Sequence, residues 1–209
     1  MLIVGICGSP KKANSNTRFL LQKALEAASG VLSDGDTKQA TTLLLDISDF
    51  EIRHCTGCDS CVRKKPCPES EHDEMSKIEE KLLQADAIII AAPSYFTSVP
   101  GVLKDFIDRS RYMKMQDHQL RDKLFGSITY AGLRYGGQEH VIDFLNRYAI
   151  AQGMIVVGAS GSPVKDGTFG SGALQTDEGN WRSAKDDALA IRGSEKLGTR
   201  IAELLLKMK

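Results

Sequence analysis

The sequence predicts an α/β protein built on a doubly wound parallel sheet. Short apolar runs that stop at glycine or proline alternate five times with amphipathic helical stretches, and such alternation implies a parallel sheet covered on both faces. Three unusual loops follow the first, third and fourth apolar runs. Those are the carboxyl ends of strands, where sheets of this kind bind ligands. At 209 residues the chain suits one well-buried core and is short for two, so a single domain over 1–209 is expected.

Leu2 to Cys7 is an apolar run closed by Gly8, the pattern of a buried parallel strand. Thr17 to Ser29 is helical in pattern, with Phe19, Leu20, Leu21, Ala24, Leu25 and Ala28 on one face. Thr41 to Ile47 reads as the second strand. Ser70 to Leu83 reads as a helix with Asp73 and Glu74 near its start, where carboxylates suit the macrodipole. Ala85 to Ala92, carrying Ile88, Ile89 and Ile90, is the third strand, and Pro93 stops it.

Ser98 offers a cap and Pro100 a first-turn proline for a helix whose inward face is Leu103, Phe106 and Ile107. Lys123 to Ala131 is the fourth strand, Gln138 to Gln152 a helix, and Met154 to Ala159 the fifth strand. From 160 to about 183 the chain is rich in Gly and Ser without periodicity. That is long for a connection, so it reads as a flap or an interface arm. A last helix runs from about Ala184 to Lys207, with notches expected at Gly193 and Gly198.

Lys+Arg and Asp+Glu both number 27, which gives nucleic acid binding little electrostatic support. No run is apolar enough to suggest a membrane span, and no signal peptide is evident, so a reducing cytoplasm is expected. Arg63-Lys64-Lys65 is a local basic patch. It is either a solvated loop or a contact for an acidic redox partner.

Four of the five cysteines fall within Cys55-Thr-Gly-Cys58-Asp-Ser-Cys61-Val-Arg-Lys-Lys-Pro-Cys67. Three thiols at three-residue intervals, with a fourth a short loop away, can converge on one multi-iron group. Bacterial iron–sulfur runs have the form C-x2-C-x2-C-x3-C-P. Here the last gap is five residues, Pro68 again follows, and all four cysteines would have to serve one cluster. A structural zinc, a disulfide pair and free thiols on a redox loop remain open, although zinc usually takes two separated C-x2-C knuckles. Cys7 stands apart as a buried core residue.

The three loops each have a functional and a plain reading. Gly8-Ser-Pro-Lys-Lys-Ala-Asn-Ser-Asn-Thr17 lacks G-x-G-x-x-G and the P-loop pattern, yet leads hydroxyls and amides into a helix N-terminus. That suits a monophosphate, or is an ordinary cap cluster. In Pro93-Ser-Tyr-Phe-Thr-Ser-Val-Pro100, Tyr95 and Phe96 could cover a planar ring or merely pack the loop. In Ala131-Gly-Leu-Arg-Tyr-Gly-Gly137-Gln, the glycines would let backbone approach a flat ligand, or form a bare turn. The functional reading rests on all three sharing one sheet edge.

With Gly8-Ser9-Pro10, Pro93-Ser-Tyr-Phe96, Pro100-Gly-Val-Leu-Lys-Asp-Phe-Ile-Asp-Arg109 and Tyr135-Gly-Gly137, the chain resembles the flavodoxin-like NADPH-dependent FMN reductases. Within them it resembles the iron–sulfur flavoproteins. The resemblance implies a flavodoxin-like, five-stranded sheet in the order 2-1-3-4-5. It implies FMN phosphate on Ser9, Lys11, Ser15, Asn16 and Thr17. The ring would rest against Pro93, Ser94, Tyr95 and Phe96 and against Gly132, Tyr135 and Gly136. A [4Fe–4S] cluster would sit on Cys55, Cys58, Cys61 and Cys67. A homodimer or homotetramer is also implied, with the flavin at a subunit interface and the 160–183 arm reaching a neighbour.

The function expected is electron transfer between a one-electron carrier, ferredoxin or similar, and a two-electron small-molecule acceptor such as a quinone, O2 or peroxide. The alternative is a cluster-free NAD(P)H-dependent FMN or quinone reductase, for which Arg134 or Arg109 could hold the ribose phosphate. A zinc-stapled scaffold without flavin is the non-enzymatic reading. No acid–base dyad is apparent: His54 reads as a loop residue and the flavin carries the chemistry.

Overall fold

The computed structural model describes residues 1–33, 41–162 and 164–208. β1 (Leu2–Cys7), β2 (Thr41–Asp46), β3 (Ala87–Pro93), β4 (Leu124–Ala131) and β5 (Ile155–Val156) form a parallel sheet in the order β2-β1-β3-β4-β5. β1, β3 and β4 are buried almost throughout, because helices cover both faces and no alternation is needed. On one face, α1 (Asn16–Ser33) and α6 (Ala188–Lys207) pack through Leu21, Leu25, Leu197 and Ile201 against Ile3, Ile89 and Ile128. On the other, α2 (Met75–Gln84), α3 (Gly101–Arg109), α4 (Arg111–Met115) and α5 (Gln138–Gln152) bring Ile78, Phe106, Met113 and Leu145 onto Ile6, Ile90 and Phe125.

Three expectations need correction. The fifth strand, expected over 154–159, pairs with β4 only at Ile155 and Val156. The chain then leaves the sheet and returns as β6 (Gly170–Ala173), which pairs with β4 from Ile128↔Gly170 to Ala131↔Ala173. The edge is therefore split, and among the described residues the sheet has six strands. Much of the expected arm is tied into the fold, although position 163 lies outside the described residues. β6 escaped detection because Gly-Ser-Gly-Ala has no apolar pattern. Its glycines answer to packing instead, since a Cβ at Gly172 would fall 2.5 Å from Asp187 Oδ2 and 2.7 Å from Ala190 Cβ.

The last helix runs without a notch through Gly193 and Gly198. A Cβ at Gly198 would lie 1.9 Å from the Ala24 carbonyl oxygen, so this glycine lets α1 and α6 touch backbone to backbone. The helix expected over 70–83 is a 3-10 turn at Pro68–Glu71 followed by α2 from Met75. Asp73 interrupts it, because its carboxylate turns inward and also accepts from the Met75 N–H at 3.2 Å.

Candidate functional site

The three loops do leave the carboxyl edge of the sheet, from β1, β3 and β4. In the first, Ser9, Ser15 and Thr17 are buried while Lys11 is exposed. Ser9 Oγ accepts from the Lys11 N–H and Ser15 Oγ from the Arg18 N–H, each at 3.2 Å. Ser15 thus caps α1 and aims its N-terminus at the loop. Asn16 also ties this loop to the approach of α6, since its Oδ1 accepts from the Ala184 N–H at 2.9 Å.

The second and third loops lock together. Ser94 Oγ donates to the Gly136 carbonyl. Gly137, at φ +87°, lies so near the second loop that a Cβ there would meet the Thr97 Cα at 2.5 Å. Tyr95 and Ser98 exchange backbone hydrogen bonds of 2.8 and 3.0 Å around Phe96 and Thr97. Both of these turn residues have positive φ, the geometry of a tight hairpin tip. Phe96 and Tyr135 are consequently almost fully exposed, at 103% and 95%, and Tyr95 is 43% exposed.

Beside these loops runs a groove of about 950 Å3, walled by Tyr135 and Gly137 on one side and Gly172 and Asp187 on the other. None of the first-loop residues lines it. It is therefore an annex to the predicted ring site rather than the phosphate cradle. Its arginines are already engaged: Arg134 with Asp177, Arg182 with Asp187, and Arg192 with Asp166.

The cysteine segment leaves the carboxyl end of β2, neighbour to β1 in the sheet. Gly57, Asp59 and Lys64 adopt positive φ, and the Lys65 N–H returns to the Ser60 carbonyl at 2.9 Å. The chain thereby curls, and Cys55, Cys58, Cys61 and Cys67 all line one small cavity of about 20 Å3, together with Arg109 and Arg111. All four are free thiols. Among the described residues no three His, Cys, Asp or Glu side chains gather about a single ion. Four cysteines on one wall are the donor set that a [4Fe–4S] cluster takes.

Basic and hydroxyl groups surround this segment. Ser60, through its side chain and backbone, holds the Cys58 thiol below its ordinary pKa. Arg63 donates to the Cys58 carbonyl at 2.7 Å, and Arg111 is held by Asp59 at 2.9 Å. The Arg111 pKa is raised chiefly by Asp59 and further by Cys61 and Cys55. Cys7 is the contrast, since burial pushes its thiol up to about 12, as befits an inert core cysteine.

α3 joins the two regions. It begins after the second loop and ends at Arg109, on the wall of the cysteine cavity. His54 Nδ1 lies 2.6 Å from Asp105 of this helix, as a loop residue pinned to it, and hydrogen bonding to that carboxylate raises the imidazole pKa. Arg109 itself was not expected here. It is 3% exposed and paired with the buried Asp73. Three residues after Phe106, it is a cation on the apolar stripe of its helix, and such a position demands a buried partner. That was the available signal.

Residues 1–168 match the family model for NADPH-dependent FMN reductase. The chain is 38% identical over 204 residues to an iron–sulfur flavoprotein of Archaeoglobus fulgidus, covering 98% of this chain and 95% of that one. The chain belongs to the NADPH-dependent FMN reductase family, in its group of iron–sulfur flavoproteins. An iron–sulfur flavoprotein of Methanocaldococcus jannaschii is 32% identical over 209 residues, covering the whole of both chains. Among solved structures, an azoreductase from Bacillus anthracis superposes with a TM-score of 0.62 at 14% identity, covering 97% of this chain and 99% of that one. This last likeness concerns the fold alone and is flavodoxin-like. Membership of the family makes the chain a flavin-dependent oxidoreductase.

Proposed function

We propose that this iron–sulfur flavoprotein exchanges electrons between a one-electron carrier and a two-electron acceptor, using a [4Fe–4S] cluster on Cys55, Cys58, Cys61 and Cys67 and an FMN at the three-loop edge. When bound, the cluster supplies single-electron transfer and the flavin supplies two-electron delivery. The observation that carries the reading is the convergence of four free thiols and two arginines on one cavity, beside a helix that starts at the ring loop.

In this reading Ser9, Lys11, Ser15, Asn16 and Thr17 receive the FMN phosphate, helped by the capped N-terminus of α1. Ser94 and Gly136 fix the gap between the ring loops. Pro93, Tyr95, Phe96, Gly132 and Tyr135 shield the ring. The exposed Phe96 and Tyr135 suit burial against a second copy of the chain. α3 spans about 13 Å from end to end, which keeps the cysteine cavity and the ring loop close. A carrier of ferredoxin type and a small-molecule acceptor are the partners proposed.

The family description, NADPH-dependent FMN reductase, suits a second reading in which hydride enters the flavin from NADPH and the cluster takes no part. The two arginines suited to its ribose phosphate are already committed, Arg109 to Asp73 and Arg134 to Asp177. Anaerobic stopped-flow reduction separates the two. With reduced viologen as one-electron donor, wild-type flavin should bleach at least tenfold faster than flavin in Cys61→Ala. Equal rates with viologen, together with rapid bleaching of both proteins by NADPH, would transfer the assignment to the hydride reading.

A further inference from the structure

Arg109 occupies the last turn of α3, on the stripe that also carries Leu103 and Phe106. A buried guanidinium needs a partner for each donor direction. Asp73, whose side chain is fully buried, accepts from Nη1 and, at 3.4 Å, from Nη2. The Arg53 carbonyl accepts from Nη1 at 3.1 Å and Ser70 Oγ from Nη2 at 3.4 Å. Nε is buried and, among the described residues, has no hydrogen-bond partner of good geometry.

An unsatisfied buried donor is costly in a folded protein. This one belongs to a residue on the wall of a cavity lined by four thiols. Cys67 shares that cavity and lies within hydrogen-bonding and electrostatic reach of the guanidinium. Anionic sulfur is a natural acceptor for a charge-assisted N–H donor. Hydrogen bonds to the sulfurs and nearby charge are among the factors that set the potential of an iron–sulfur site.

We propose that Arg109 is a built-in donor and counter-charge for the cluster. Its free Nε–H is held towards sulfur at the Cys67 side of the site, where it raises the site's affinity for an electron. Asp73 is the positioning residue, fixing the guanidinium and tempering its charge. The inference rests on the reading of the four cysteines as cluster ligands. One added electron brings one negative charge to the sulfurs, and a fixed N–H donor with a positive charge stabilises that charge more than it stabilises the oxidised form.

The test is EPR-monitored potentiometry on anaerobically purified protein, with iron and sulfide assayed in every sample. Arg109→Lys keeps the charge but loses Nε, and should lower electron affinity about tenfold, equivalent to about 59 mV for one electron. Asp73→Asn frees the guanidinium charge and should shift the potential the opposite way. Wild-type protein labelled with 15N-arginine should show a nitrogen coupling to the reduced cluster in pulsed EPR, and this measurement does not depend on any variant folding. Absence of that coupling, or an iron-replete Arg109→Lys protein with unchanged potential, would overturn the role of Arg109 alone. Wild-type protein without iron and sulfide would overturn the cluster reading itself, and this inference with it.

Discussion

Glu79 sits half-buried on α2, and burial alone pushes its carboxyl up to about 7 from an ordinary 4.5. A raised folded-state pKa means that its contribution to stability is fully present below about pH 4.5 and is lost as pH rises through about 7. Glu79→Gln should therefore be more stable than wild type at pH 8 by about 1 kcal/mol, a figure discounted for partial exposure. At pH 4 the two should match in urea unfolding. Equal stability at both pH values would contradict the desolvation argument. The gathering of the four cysteines on one cavity was foreshadowed by their spacing. Asn16 was readable only in part, because its bond to the Ala184 N–H joins positions far apart in sequence. Arg109 was offered, beside Arg134, only as a candidate for a ribose phosphate in the alternative reading, because its neighbours in space, Asp73 and Cys67, were invisible from the helix pattern.

At the scale of elements, α1 and α6 meet through Gly198, and the replacement of this glycine should be felt at once. Gly198→Ala places a methyl group on the Ala24 carbonyl and should cost about 1–3 kcal/mol as overpacking, read as a drop in the unfolding midpoint. Asp187 has two roles at the start of α6. It caps the helix by accepting from the Ala190 N–H at 3.2 Å, and it holds Arg182 at 2.6 Å. Asp187→Ala should cost about 2 kcal/mol, at the upper end for a lost cap, and should expose the 164–182 segment to limited proteolysis before global unfolding. Uniform resistance to the protease would count against this role. Helix α5 was legible to its end residues because apolar spacing and Gly153 mark it. β6 was not, because its glycines serve contacts with α6 rather than a strand pattern.

For the whole molecule, the sheet and both apolar layers are built without the cysteine segment, whose cysteines appear in neither core cluster. The fold should therefore stand without metal, unlike domains whose folding energy is metal binding. Cys58→Ala and Cys61→Ala should lose iron, keep FMN, and unfold within a few degrees of wild type by circular dichroism, as surface changes of below about 1 kcal/mol do. The strand order followed from the family resemblance, and alternation alone indicated a covered parallel sheet. That cluster and flavin lie close was implied only by the family resemblance, and the link through α3 was not legible, because it depends on how that helix lies across the sheet edge.

Everything proposed for this protein turns on four cysteines and three loops forming adjoining cluster and flavin sites. A visible spectrum of anaerobically purified protein, with iron, sulfide, zinc and FMN assayed on the same sample, checks that directly. Flavin bands should stand over a broad iron–thiolate absorption, with about four irons and about four sulfides per chain as in other [4Fe–4S] proteins. Bound flavin with no iron, or zinc in its place, would contradict it.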